Sequence, residues 1–251
     1  MELFNLAGKV AVVTGTNRGI GQDIAIGLAE AGADIALIQR NANDLQTKQR
    51  IEQLGKKAEV FQCDLANANE IRKVIPKIIQ IFNKIDILVN NAGIQRRNPS
   101  ELFTEQDWDD VLNVNLKSTF LLSQEVGRIM LQQGKGKIIN IASLLSFQGG
   151  INVPAYAAAK GGVAQLTKAL SNEWASKGIN VNAIAPGYIA TDMNEALLQN
   201  ETRNRQILER IPAGRWGNSE DFKGSVIYLA SKASDYVHGH VLVVDGGWMG
   251  R

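Results

Sequence analysis

Short apolar runs recur along the chain, at 9–14, 34–39, 59–62, 86–90, 137–141, 180–185 and 240–244. They are nearly unbroken strings of Val, Ile, Leu and Ala, as in KVAVVT, rather than alternations of apolar and polar residues. Strands covered on both faces require that pattern. Between the runs lie stretches near 19–31, 42–54, 67–82, 105–133, 154–177 and 219–230 with apolar residues at helical spacing. Repeated strand–helix alternation predicts an α/β fold, a single-domain Rossmann-type doubly wound parallel sheet of about seven strands flanked by helices. No linker, repeat or low-complexity tract divides 1–251, so a single domain is expected. Thr104 with Glu105 and Asp107, and Ser219 with Glu220 and Asp221, read as helix starts. The segment 190–212 breaks the rhythm. It is polar, helical in pattern and inserted between a strand and the next core helix, as a lid over a substrate would be.

Composition narrows the class. The 251 residues are 45% hydrophobic and carry 27 Lys plus Arg against 25 Asp plus Glu, a net charge of +2. That balance argues against a nucleic-acid or membrane-surface partner. The lone Cys63 excludes an internal disulfide and argues against a Cys-based metal site, and His238 and His240 lack ligand partners at metal spacing, so no metal is expected. No uncharged apolar stretch reaches the ~18 residues of a membrane span. The opening MELFNLAGKVAVV has no basic stretch followed by a long apolar segment. A cytoplasmic protein is expected.

Candidate chemistry falls at two stations. At the first, TGTNRGIG follows the strand at 9–14 and opens the helix near 19–31. Gly15, Gly19 and Gly21 let the backbone turn sharply and approach a phosphate beside free helix N–H groups, with Asn17, Arg18 and Ile20 in the same turn. An acid at the end of the second strand would grip the adenosine 2′-hydroxyl of NAD. Gln39 stands there, followed by Arg40, and with Arg18 these cations favour the 2′-phosphate of NADP. Asp64 and Leu65 follow the third strand, where the Asp64 carboxylate is placed to hydrogen-bond the adenine amino group. Asn91, Ala92 and Gly93 follow the fourth and leave room for a ribose.

At the second station, Tyr156 and Lys160 are one helical turn apart in PAYAAAK, on the same helix face. An ammonium beside a phenol favours the phenolate, giving a proton donor and acceptor usable near neutral pH. Ser143 closes the apolar run KIINIAS, at a strand's C-terminal end.

These pieces, TGTNRGIG, NNAG, Asn115, Ser143, Tyr156-AAA-Lys160 and Pro186-Gly187, resemble the short-chain dehydrogenase/reductase family in order and spacing over nearly the whole chain. The stretches DWDDVLNVNLKS, KIINIASLLSFQGGINVPAYAAAK, NEWASKGINVNAIAPGYIATDM, RIPAGRWG and VDGGWMGR are similar to a subgroup, the 2-deoxy-D-gluconate 3-dehydrogenases and 2-dehydro-3-deoxy-D-gluconate 5-dehydrogenases. The resemblance implies hydride transfer between nicotinamide and a hydroxyl or keto carbon of a deoxy or keto-deoxy sugar acid. It implies that Tyr156 moves the proton, Lys160 lowers the tyrosine pKa and binds the nicotinamide ribose, and Ser143 orients the substrate oxygen. Asn115 would hold a relay water. It implies further cofactor contacts at Pro186, Gly187, Ile189 and Thr191, and a homotetramer. The subgroup is described mostly with NAD(H) while Arg18 and Arg40 favour NADP(H), so the cofactor is expected to be either. A sugar acid needs a cation for its carboxylate, and Arg96, Arg97 and Arg215 are the candidates, with Gln148 as a polar contact. Gluconate 5-dehydrogenase and 3-oxoacyl carrier-protein reductase remain alternatives, as does a non-catalytic nucleotide-binding regulator.

Overall fold

The computed structural model describes residues 2–251. In chain order the elements are β1 (Val10–Thr14), α1 (Gly19–Glu30), β2 (Asp34–Gln39), α2 (Gln46–Gln53), β3 (Ala58–Gln62), α3 (Ala68–Phe82), β4 (Ile87–Asn90), α4 (Glu105–Leu112), α5 (Ser118–Gln133), β5 (Gly136–Ile141), α6 (Pro154–Trp174), β6 (Ile179–Pro186), α7 (Glu195–Gln199), α8 (Glu201–Arg210), α9 (Lys223–Ala230) and β7 (Val241–Val244). The strands form one parallel sheet in the order β3-β2-β1-β4-β5-β6-β7.

Alternation along each strand feeds two cores, one per face. Ala11 and Val13 of β1 pack with Ile24 and Leu28 of α1 and Val226 and Leu229 of α9. Val10 and Val12 point the other way, into a layer with Ile71 and Ile78 of α3, Val126 and Met130 of α5, and Trp174 of α6. The chain winds outward from β1 to β3 in one direction and from β4 to β7 in the other. The reversal between β1 and β4 opens a crevice at the carboxyl ends of the strands, the place such sheets offer a ligand.

Three expected elements differ in detail. The helix expected from 42 begins only at Gln46, because the Gln39 amide holds the carbonyls of Asn41 and Asp44 and keeps the chain in a loop. The long helix expected over 105–133 contains a wide π turn at Asn113–Lys117. The helix start read at Ser219 is capped by Asn218, whose side chain accepts from Asp221 N at 3.0 Å, while the Ser219 hydroxyl donates to Asp23. Thr104 does cap α4, accepting from Asp107 N at 3.1 Å.

Candidate active site

A cleft of about 1650 Å³ lies at the carboxyl ends of the strands. That exceeds the roughly 300–1,000 Å³ that holds an ordinary small ligand. On its floor, Gly15 turns at φ +70° and Gly19 at φ +58°. A Cβ on Gly21 would lie 2.1 Å from the Gly15 carbonyl oxygen and 2.3 Å from Asn91 Nδ2, so only glycine lets the loop and α1 approach this closely. Asn91 Nδ2 donates to the carbonyls of Thr14 and Gly15 at 3.0 and 3.3 Å, and Thr14 Oγ1 accepts from the amides of Asn91 and Ala92. The loop after β4 is thereby tied to the loop after β1. The start of α1 has no side-chain cap, which leaves its first N–H groups and positive dipole end to the cleft. The cradle fits the pyrophosphate of a dinucleotide.

Every residue expected to touch the cofactor lines this cleft, from Gly15 and Asn17 through Asp64, Leu65 and Gly93 to Pro186, Gly187, Ile189 and Thr191. Gln39 is buried and its amide is engaged: Oε1 accepts from Thr16 Oγ1 at 3.0 Å and Nε2 donates to the Asn41 and Asp44 carbonyls at 2.8 and 2.6 Å. Its side chain braces the loop. Asp64 accepts from Ala66 N at 3.0 Å and shapes its own turn. Arg18 forms an ion pair with Asp192 in which both side chains stay exposed. Arg40 is exposed, and its guanidinium makes no hydrogen bond or ion pair among the described residues.

The second station stands opposite. Ser143 follows the end of β5 by two residues and caps a short 3₁₀ turn, accepting from Leu145 N at 3.1 Å. Its O–H is left to donate. The Tyr156 phenol is pushed up by burial, while the Ser143 hydroxyl and the Arg97 charge pull it back. Lys160 is buried, and desolvation drops its amine to about 8. Its Nζ donates to the Ile141 carbonyl at 2.5 Å and lies 5.7 Å from the centre of the tyrosine ring. In this structure Ser143 and Arg97 offset the burial of the phenol, while the Lys160 amine is turned to Ile141. Asn115 is buried in the π turn, outside the lining, and spends both ends of its amide on Ile94, accepting from N and donating to O at 2.8 Å each. Its side chain fixes the loop after β4.

The candidate arginines separate clearly. Arg96 is neutralised by Asp107 at 3.2 Å and Asp110 at 3.6 Å. Arg215 lies outside the lining, gripped by both oxygens of Asp221 at 2.7 and 2.9 Å, a pair that raises the guanidinium and lowers the carboxyl. Arg97 faces the cleft and donates only to Gln95, at 2.8 Å. Gln148 also faces it, with Oε1 accepting from Trp248 Nε1 at 3.1 Å.

Residues 9–202 match the family model described as short chain dehydrogenase. The chain belongs to the short-chain dehydrogenase family. It is an oxidoreductase that works with NAD(H) or NADP(H). The 2-dehydro-3-deoxy-D-gluconate 5-dehydrogenase of Bacillus subtilis (strain 168) is 54% identical over 250 residues, covering 100% of this chain and 98% of the relative. That of Escherichia coli (strain K12) is 50% identical, covering 100% and 99%. A crystallised gluconate 5-dehydrogenase from Burkholderia cenocepacia J2315, in complex with NADP and tartrate, is 43% identical with a TM-score of 0.96, over 100% of this chain and 98% of that one.

Other side chains in the cleft escaped the family's motifs. Arg203, Gln206, Ile207 and Arg210 line it from α8, Asp192 meets Arg18, and Trp248 closes one wall. The spacing 203, 206, 207 and 210 is one helix face, so a helical projection of the 190–212 segment would have grouped them. Ser146 is a further case. Its hydroxyl donates to the Lys160 carbonyl at 2.7 Å and accepts from Ser143 N at 3.3 Å, joining the segments that carry Ser143 and Lys160.

Proposed function

We propose that this chain interconverts a hydroxyl and a ketone on a deoxy or keto-deoxy sugar acid, as a 2-dehydro-3-deoxy-D-gluconate 5-dehydrogenase. One observation carries the reading: a phenol, a serine hydroxyl and a buried amine converge in the same cleft as a glycine cradle shaped for a pyrophosphate. The bound dinucleotide supplies or takes the hydride. Tyr156 gives the proton to the ketone oxygen in reduction and takes it from the hydroxyl in oxidation. Ser143 donates a hydrogen bond to the same oxygen, fixing it at the phenol. The Arg97 charge favours the phenolate and with it the oxidation direction's base. Lys160, with an amine near 8, passes a proton on to the tyrosine and grips the ribose. Arg40 reads the 2′-phosphate of NADP, helped by Arg18 when it exchanges Asp192 for the phosphate. That exposed pair stabilises little, roughly 0–1 kcal/mol, so exchange is easy.

The acid specificity is supported by the cleft's charge. Arg18, Arg40, Arg96, Arg97, Arg203 and Arg210 line it against Asp64 and Asp192. The 190–212 segment acts as the lid of a single domain. Cytoplasmic residence and a homotetramer belong to the same proposal. No helix among the described residues is long and apolar enough to cross a membrane. Trp108 of α4 and Phe120 of α5 leave ring surface in water that a second copy would cover. The test is a screen of nicotinamide absorbance with both cofactors against 2-keto-3-deoxygluconate, 2-deoxygluconate, gluconate and an acetoacetyl thioester. Turnover with a keto-deoxy or deoxy sugar acid at the highest kcat/KM is expected. A strong preference for the thioester would overturn the sugar-acid reading.

A further inference from the structure

Arg210 sits in the last turn of α8, with its guanidinium carbon 4.0 Å from the centre of the Trp248 ring. Trp248 is itself fixed. It is buried against Leu144, Ile207 and Ile211, its ring centre is 4.6 Å from that of Tyr188, and its Nε1 donates to Gln148. Leu144 is the neighbour of Ser143, so this aromatic platform abuts the turn that carries the serine. A guanidinium stacked on an indole face is held by its plane and keeps its edge donors free.

The other arginines of the cleft are occupied. Arg18 is paired with Asp192 and Arg96 with Asp107 and Asp110, and Arg97 and Arg203 donate to Gln95 and Gln206. Among the described residues, Arg40 and Arg210 are the two in the lining whose guanidinium makes no hydrogen bond or ion pair. Arg40 follows β2 at the adenosine end. Arg210 lies on Trp248, which packs against Leu144 beside Ser143. A planar fork with open donors is matched by a carboxylate.

We propose that Arg210, laid on Trp248, is the bidentate clamp for the carboxylate of the substrate. This rests on the sugar-acid reading. Arg97 serves the reacting end, where its charge acts on the phenol, and Arg210 holds the far end. Gln148 supports the platform through Trp248 rather than reading the sugar. With the lid segment closed, clamp and reacting group hold the two ends of the acid, which selects its length as well as its charge.

The test compares 2-keto-3-deoxygluconate with its methyl ester in the wild type and in Arg210→Gln and Arg210→Lys, with NADPH affinity followed by fluorescence titration. Arg210 is exposed, so both variants should fold, and retained NADPH binding verifies it. A charge-assisted contact of this kind predicts a KM for the acid raised about 10- to 100-fold in Arg210→Gln, the loss falling on KM rather than kcat. Arg210→Lys keeps the charge without the fork and should lie between. The ester's KM should not change. An acid KM within twofold of wild type in Arg210→Gln, or acid and ester weakened by the same factor, overturns the clamp while leaving the sugar-acid reading intact. If the wild type itself treats acid and ester alike, that reading fails and the clamp falls with it.

Discussion

The two ends of the cleft are made of different material. The glycine cradle is built from backbone: left-handed turns at Gly15 and Gly19, a missing Cβ at Gly21, and Asn91 and Thr14 lacing two loops together. Its shape follows from the strands that feed it. The α8 end is built from side chains, Arg203, Gln206, Arg210 and Trp248, on segments outside the strand–helix repeat. Backbone geometry leaves little to vary, so a dinucleotide site comes with the fold. Side chains on an added segment vary freely without disturbing the sheet. Under the proposed function, cofactor binding follows from the architecture and substrate choice from what is laid over it.

The contrast can be broken at several points. The largest effect is expected where the ends meet. Tyr156→Phe removes the transferable proton and should lower kcat at least about 10²- to 10⁴-fold, with NADPH affinity unchanged in a fluorescence titration. Wild-type turnover would remove the tyrosine from the chemistry. Next is Gly21→Ala, whose Cβ would collide with backbone and with Asn91. Overpacking of this kind costs about 1–3 kcal/mol, and calorimetry should register it as a Tm drop of roughly 2–4 °C per kcal/mol, with NADPH binding lost as well. Tolerance of the alanine would mean that the cradle is not held by close contact.

Arg40→Asp is smaller and sharper. It should swing the ratio of kcat/KM values from NADP towards NAD by about 10- to 100-fold, and an unmoved ratio would exclude Arg40 as the phosphate reader. The last effect is on the pH dependence of stability. Burial holds Lys160 at about 8 against 10.5 for a free lysine. Between those values the unfolded chain binds more protons than the folded one, so stability rises with pH through that window. The cost of burying the ammonium is complete below the lower value and gone above the higher. Measured against Lys160→Met, the wild-type Tm should therefore climb from pH 8 to 10.5. A flat difference would mean that the amine is as well solvated in the fold as outside it.

The strands were legible because burial on both faces writes itself as unbroken apolar runs, and β1, β4 and β6 are buried throughout. The Thr104 cap was legible for a local reason, an oxygen three residues before the amide it satisfies. What stayed hidden depends on partners far along the chain. Ser219 lost its expected role to Asn218 because its hydroxyl finds Asp23, and α2 starts late because Gln39 reaches forward to Asn41 and Asp44. The π turn at Asn113–Lys117 has no period of its own in the sequence and serves a contact with Ile94. Ser143, Tyr156, Lys160 and the cofactor-side residues could be placed in one cleft from motif and spacing. The states of the arginines could not, since only the fold tells that Asp221 has taken Arg215 and that Trp248 lies under Arg210.

Ser146 joins the backbones of Ser143 and Lys160 through a single hydroxyl. Any sway of α6 against the sheet must carry the serine's turn with it. Donor and amine then drift as one body, and their mutual alignment outlasts vibrations that would scatter two independently mounted groups.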